Sequence, residues 1–284
     1  MPVIEVQSTD RRKAESTFLL NNAKNVHSQN GEDGILGALY DLIGTKNKWC
    51  VEFGAWDGVH LSNTCDLIRS HGWYAVQIEG NGKKFETLKE NFKDNDRVRQ
   101  IHAMVGYEPG VNTLEDYLAT TEIPEDFDLL SIDIDGNDWY IWESVKKYRP
   151  RVVVIEFNPT VPNEVVFIQD KDMSINEGCS LAALIKLGKE KGYELACVTK
   201  VNGIFVRSDE FPKLGIKDNS IDAMHRKDAA YIFQGYNGKI YQTMGRGYWR
   251  LRNTELGQPD SLQILPERSR QYQDRVKTPT DEDK

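Results

Sequence analysis

The sequence predicts an α/β protein: a doubly wound, mostly parallel sheet of seven strands that ends in an antiparallel hairpin and continues into a C-terminal extension. Three observations lead there. Short apolar or β-branched runs alternate with stretches of helical apolar spacing from Trp49 to Arg207. The first of those strands runs straight into a glycine turn and then a helix, WCVEFGAWDGVHLSN over 49–63, which is the opening unit of a nucleotide-binding sheet. The alternation then stops at two neighbouring runs, 193–198 and 203–207, joined by Thr199 to Asn202. A connection that short permits only antiparallel pairing.

Composition narrows the class. The 284 residues are enough for one or two domains and a sizeable core. The 44 acidic residues outnumber the 36 basic ones, for a net charge of -8, which disfavours a broad nucleic-acid or anionic-membrane surface. Cys50, Cys65, Cys179 and Cys197 are far apart, with no C-x-x-C pair. They read as buried thiols of a reducing compartment, a disulfide being the alternative. The first residues, MPVIEVQSTDRRK, carry charges where a leader needs an apolar run, and no stretch approaches the ~20 apolar residues of a membrane span. The expectation is a soluble, cytoplasmic protein.

Taken in order, residues 1–25 are polar and read as a loosely docked extension. HSQNGEDG (27–34) is dense in capping residues; Ser28, Asn30 or Asp33 would cap the helix whose apolar stripe is Ile35, Leu36, Leu39, Leu42 and Ile43. After the strand Trp49–Phe53 and the glycines 54 and 58, a helix is expected over Leu61 to Arg69. Trp73 to Glu79 is the second strand, and Asn81 caps a helix over 83–92. Val98 to Met104 is the third strand and Thr113 to Leu118 a short helix. Phe127 to Asp133 is a strand leading into IDGND, followed by a helix over 140–148. Arg151 to Phe157 is the most β-branched run and reads as a central strand. A long link, 159–179, precedes the helix over 180–190 and reads as a lid. Asn237-Gly238 marks a further hairpin between 229–236 and 239–244. RGYWRLR (246–252) reads as a basic, aromatic packing segment and the last residues as a disordered tail. The expected division is 1–25, a domain over 26–207, an extension over 208–270 and a tail over 271–284.

Four strands end in acids: Glu52, Glu79, Asp133 and Glu156. Ligands of open α/β sheets sit at the carboxyl ends of the strands, so these four would line one crevice. The motif E-x-G-x-x-x-G lacks the third glycine of a dinucleotide site, and Glu52 would repel a pyrophosphate. A cationic ligand with an amino-acid end, such as S-adenosylmethionine, suits the position better. Glu79 stands where doubly wound folds hold ribose hydroxyls.

HSQNGEDGIL, CVEFGAWDGVHLSNT, VQIEG, DFDLLSIDIDGNDWYIWES and PRVVVIEFNPT, in this order, resemble the FkbM-like methyltransferases over about residues 26–207. The resemblance implies a class I, Rossmann-like fold and S-adenosyl-L-methionine as cofactor. It implies Glu52, Gly54 and Gly58 at the methionine end, Glu79 on the ribose, and Asp133 facing the methyl-transfer site. Asp135 stands where the family more often has glutamate. Many relatives methylate hydroxyls, so the expected acceptor is a hydroxyl on a sugar, glycan or small polar metabolite.

Methyl transfer demands alignment, and an alcohol acceptor must also lose its proton to a base or a metal. Asp133 is the first candidate for base. His60, just past the turn, is the second. Asp133, Asp135, Glu156 and Asn158 would form an oxygen-rich site for Mg2+; the plainer expectation is that Asp135 and Asp138 cap the next helix. D-x-D-G-N-D lacks the distal glutamate of a calcium loop. Two competing readings remain: a catalytically inactive binding or adaptor protein that keeps the fold, and a nicotinamide-dependent oxidoreductase, which Glu52 and the missing glycine disfavour.

Overall fold

The computed structural model describes residues 10–108, 110, 112–226, 232–234 and 240–242. Residues 1–228 form one compact unit and 229–284 another. The first unit is built on one sheet. Its strands are β1 (Trp49–Phe53), β2 (Tyr74–Glu79), β3 (Val98–His102), β4 (Leu129–Ile132), β5 (Val152–Glu156), β6 (Tyr193–Val198) and β7 (Asn202–Arg207). Their spatial order is β3-β2-β1-β4-β5-β7-β6. Strands β1 to β5 pair in parallel, and β7 runs antiparallel to both β5 and β6. This is the doubly wound, seven-stranded sheet read from the sequence.

Alternation along each strand divides the core into two layers. Val51, Phe53, Leu130, Ile132, Val153 and Ile155 face one side, with α4 (Leu114–Leu118), α5 (Asp138–Ser144) and α6 (Leu181–Glu190) packed on them. Cys50, Leu129, Val152 and Val154 face the other, under α1 (Glu32–Ile43) and α2 (Cys65–His71). The remaining helices are α3 (Gly82–Asn91) and the single turn α7 (Ile221–Met224). All four cysteines are buried free thiols. No helix among the described residues is long and apolar enough to cross a membrane.

The cap expected at Asn81 forms, and two further side-chain caps stand at helix starts. Asn81 Oδ1 accepts from Lys83 N and Lys84 N, Thr113 and Asp116 form a capping box, and Ser180 accepts from Ala183 N. Two starts differ. The N-cap of α1 is Gly31 (φ 94), with no side-chain cap. Asp33 instead reaches back from the first turn, its Oδ2 accepting from the backbone N–H of Val26, His27 and Ser28. Helix α2 begins at Cys65 rather than Leu61, because Ser62, Asn63 and Thr64 are bound to a strand residue described below.

The 10–24 segment is docked, not loose. Lys13 N donates to Ala223 O at 2.9 Å, Ser16 Oγ donates to Asp218 O at 2.6 Å, and Leu19, in a 3-10 turn over Phe18–Asn22, is fully buried. In the second unit β8 (Ile232–Gln234) pairs antiparallel with β9 (Ile240–Gln242), Phe233 opposite Tyr241. The Asn237-Gly238 turn, the 246–252 segment and the tail lie outside the described residues.

Candidate active site

The parallel strands deliver their carboxyl ends to one edge of the sheet, where the glycine turn leaves β1. Gly54 has φ 72, and a Cβ there would lie 1.7 Å from the carbonyl oxygen of Asp133. The end of β1 thus passes against the end of β4 with no room for a side chain. Gly58 (φ 73) is held by packing as well, since its Cβ would meet Phe92 Cε2 at 2.5 Å. Both glycines expected to admit a ligand therefore also answer to neighbours within the chain.

Glu52 is buried, and its carboxylate is filled from its own chain. Oε2 accepts from Ser62 Oγ (2.6 Å) and Thr64 Oγ1 (2.7 Å), and Oε1 accepts from Asn63 N (2.8 Å). Register places Glu52 between Gln77 on β2 and Ser131 on β4. Gln77 Nε2 donates to Thr64 Oγ1 and Asn63 Nδ2 to Ser131 Oγ. A polar row thus crosses the middle of the sheet and ties down the loop before α2. Burial pushes the Glu52 carboxyl up, against the lowering effect of these hydrogen bonds.

Glu79 closes the other side of the turn. Its Oε2 accepts from Trp56 N (2.8 Å) and its Oε1 from Asn81 N (2.6 Å). Each oxygen keeps a second lone pair for a further donor. Trp56 sits at φ 52 and is 45% exposed. Lys84 Nζ stands 3.5 Å from the centroid of that ring, and His60, exposed, packs edge-on against it at 5.4 Å. The other tryptophan near these turns, Trp139, instead donates its Nε1–H to Ala183 O.

At the ends of β4 and β5 the structure brings Asp133, Asp135 and Glu156 together, with one carboxylate oxygen of each within 4.8 Å of the others. None of the three carboxylates has a hydrogen bond or ion pair among the described residues. Asp133 lies deep in the crevice yet open to solvent. Its depth, then the charges of Asp138 and Asp135, raise its carboxyl well above the ordinary value. Glu156 is raised well above the ordinary value too, by burial and then by Asp133. Asp138 is spent locally, accepting from Ile134 N and Gly136 N at 2.9 Å each. Asn158 does not join the trio. Its Nδ2 donates to Glu177 O and its Oδ1 accepts from Thr160, so its side chain serves the link that follows.

That link, 159–179, folds onto the β4–α5 turn. A Cβ on Gly136 would meet Ile175 O at 2.7 Å, and Asn137 Nδ2 donates to Asp172 O. Gln169 organises the segment: Oε1 accepts from Glu177 N and Gly178 N, and Nε2 donates to Ile175 O. Lys171 bonds Glu108 at 2.6 Å and lies over the rings of Tyr107 and Tyr140. On the far side Glu32, at the start of α1, accepts from Thr199 Oγ1 and Asn202 Nδ2 at 2.9 Å, and Asn202 is paired with Glu156 across β5 and β7. Glu32 and Gln169 were not singled out from the sequence. The available signal for the first was an acid within the 27–34 cluster of capping residues.

The model of the methyltransferase FkbM domain matches residues 20–195, over half of the chain. The chain belongs to the FkbM methyltransferase family. Among solved structures it is similar to the METTL16 methyltransferase domain (16% identity, TM-score 0.39), covering 62% of this chain and 66% of that one. It is also similar to the N-terminal domain of EvdMO1 with SAH bound (13% identity, TM-score 0.42; 63% and 82%). A third similarity is to a human methyltransferase 10 domain containing protein (15% identity, TM-score 0.38; 61% and 80%). The chain thus spans just under two thirds of the METTL16 domain. No curated protein matches it.

Proposed function

We propose that this FkbM-family chain binds S-adenosyl-L-methionine at the β1–β2 edge of the crevice and methylates a hydroxyl of a sugar, glycan or small polar metabolite. The observation that carries this reading is the trio of partnerless carboxylates, Asp133, Asp135 and Glu156, at the strand ends beside Gly54. Their uncompensated charge fits a cationic cofactor, which when bound supplies an activated methyl group. Glu79, with a lone pair free on each oxygen, would take the ribose hydroxyls, and the Trp56 turn would flank it. Glu52 would act through Ser62, Asn63 and Thr64, holding the turn rather than touching the ligand. Gly54 and Gly58 would give that turn its path.

An alcohol needs its proton removed as the new bond forms. Asp133, its proton affinity raised at the crevice floor, is the base in this reading. His60 is the second choice, because its ring packs on Trp56 at the exposed rim. The same trio has the oxygen donors that Mg2+ prefers, without Asn158; a bound cation there would lower the acceptor's pKa. Folding of the 159–179 link onto the β4–α5 turn gives the acceptor side a wall.

The test is calorimetric titration of S-adenosylhomocysteine into the wild-type chain and Asp133→Asn, each with and without Mg2+. The reading expects micromolar binding by both proteins. It then expects a gain of one methyl mass on hydroxylated acceptors with wild type alone. A folded wild type that binds no S-adenosylhomocysteine would sink the methyltransferase reading and favour a binding or adaptor role.

A further inference from the structure

A second groove lies at the opposite edge of the sheet, where β5 and β6 begin. It has a volume of about 230 Å³ and is floored by the buried rings of Trp142 and Tyr193. Lys146, Arg149 and Lys191 line it, with Glu190 as the only carboxylate on its walls among the described residues. Lys191 caps the C-terminus of α6 and is half-buried. Its Nζ donates to the carbonyl oxygen of Val145 at 2.5 Å. No ion pair holds it among the described residues. A carbonyl partner, unlike a carboxylate, brings no full negative charge to hold the group as an ammonium.

We propose that Lys191 is an acylation site for small anionic acyl donors, acyl phosphates being the class, which the groove's cations gather. Arg149 and Lys146 would hold the phosphate end. The neutral Lys191 amine attacks the acyl carbon, a C–N bond forms, the C–O bond to phosphate breaks, and the amine's proton passes to water. Nothing is oxidised or reduced.

The electrostatics agree with this geometry. Burial, then the charge of Lys146, bring the Lys191 ammonium down to about 8. The opposing carboxylates are Glu115 on α4 and Glu143 on α5, with Glu190 beside it on α6. Glu115 is engaged elsewhere, its Oε1 accepting from the backbone N–H of Lys146, Lys147 and Tyr148. The hydroxyl of Tyr193 donates to Pro150 O, and Tyr148 is buried. Near neutral pH Lys191 therefore carries far more free amine than an exposed lysine. Its lower basicity offsets part of that gain.

The experiment is to treat the full chain with acetyl phosphate and, separately, with neutral phenyl acetate, reading initial acetylation rates at each lysine by peptide mass spectrometry. Lys191 should react with acetyl phosphate roughly tenfold faster than exposed Lys83 and Lys189 at pH 7.5. Its rate should level off above about pH 8. Arg149→Ala should slow acetyl phosphate severalfold and leave phenyl acetate unchanged at Lys191, while Lys146→Ala, which also removes a charge that lowers Lys191, should slow acetyl phosphate more than phenyl acetate. Equal rates at Lys191 and the comparison lysines overturn the proposal. So does a pair of variants that slows both donors alike, or neither.

Discussion

Asp133→Asn is the smallest change that separates charge from shape in the crevice. The folded chain raises the affinity of Asp133 and Glu156 for protons. A carboxyl raised on folding binds more protons in the native than in the unfolded state between its two pKa values. Stability is therefore highest at low pH with respect to these groups. It falls as pH climbs from the ordinary carboxylate range through their raised values. Urea unfolding at a series of pH values should show this decline in wild type and a shallower one in Asp133→Asn, which should be the more stable protein near neutrality. Identical slopes in the two proteins would refute the mutual repulsion. Gly54→Ala is the opposite case, shape without charge. At φ 72 an alanine costs about 1–2 kcal/mol, and the contact at 1.7 Å with the Asp133 carbonyl must push β1 and β4 apart. The expected result is a lower unfolding midpoint together with lost S-adenosylhomocysteine binding. Retained binding would mean that the turn tolerates displacement.

Elements reveal which parts of the protein were legible in its sequence. The helix cap at Asn81 is local, two or three residues from the N–H groups it accepts, so pattern alone finds it; those at Thr113 and Ser180 are equally local. All seven strands were readable, six of them because their cores are β-branched or apolar and β3, with Arg99 and Gln100 at its middle, from Val98 and Ile101. The start of α2 was not. Leu61 has the apolar spacing of a helix, but Glu52, ten residues before Ser62 in the chain, captures its hydroxyl and delays the helix to Cys65. No window of local sequence contains that competition. The strand-end acids were legible as a set, yet their separate fates were not: Glu52 is filled by hydrogen bonds, Glu79 bridges two turns, and Asp133 and Glu156 are left bare. The opposite edge of β4 and β5 was invisible for the same reason. There Arg151 bonds Asp128 at 2.7 Å, Glu210 at 2.9 Å, and the carbonyls of Gly44 and Ile43 that end α1. Asp128 also accepts from the backbone N–H of Lys46, Asn47 and Lys48. Arg151→Ala removes the counter-charge of buried Asp128, which keeps only its backbone donors, and leaves two helix carbonyls without their partner, a loss of about 3–5 kcal/mol. Burial pushes Glu210 up, but the hydrogen bonds of Arg151 and Lys213 outweigh it and bring it down to about 2. Its contribution is thus present above the ordinary glutamate value and lost as pH falls toward 2. Acid titration of stability should show a smaller loss over that window in Arg151→Ala than in wild type, and an equal loss would contradict the pairing.

At the scale of the molecule, the sheet is closed on its α1 face by chain from both ends of the first unit. Residues 10–24 precede every strand of that sheet and α7 follows them all, yet Lys13 N reaches Ala223 O and Lys13 Nζ reaches Asp218 at 2.6 Å. These exposed contacts orient the strap, but exposed ion pairs contribute little to stability. Most of the hold comes from Leu19, buried with Ile35, Leu36 and Leu39 of α1 in the layer that also holds Leu214 and Ile216. Polar composition hid this strap from sequence reading, because a single anchoring leucine sets no periodicity. If Leu19 is the anchor, Leu19→Ala should lower stability by about 2–5 kcal/mol, the range for emptying a well-packed leucine site. Lys13→Ala should then cost far less than that. Chemical denaturation of both variants checks the ranking. The crevice lies at the strand ends while the strap covers a face of the sheet, so S-adenosylhomocysteine affinity should survive in Leu19→Ala at temperatures where the protein stays folded. A wild-type midpoint in Leu19→Ala would show that the segment rests on the unit without holding it. Lost affinity in a fully folded variant would instead connect the strap to Glu32, at the start of the helix α1 on which it packs.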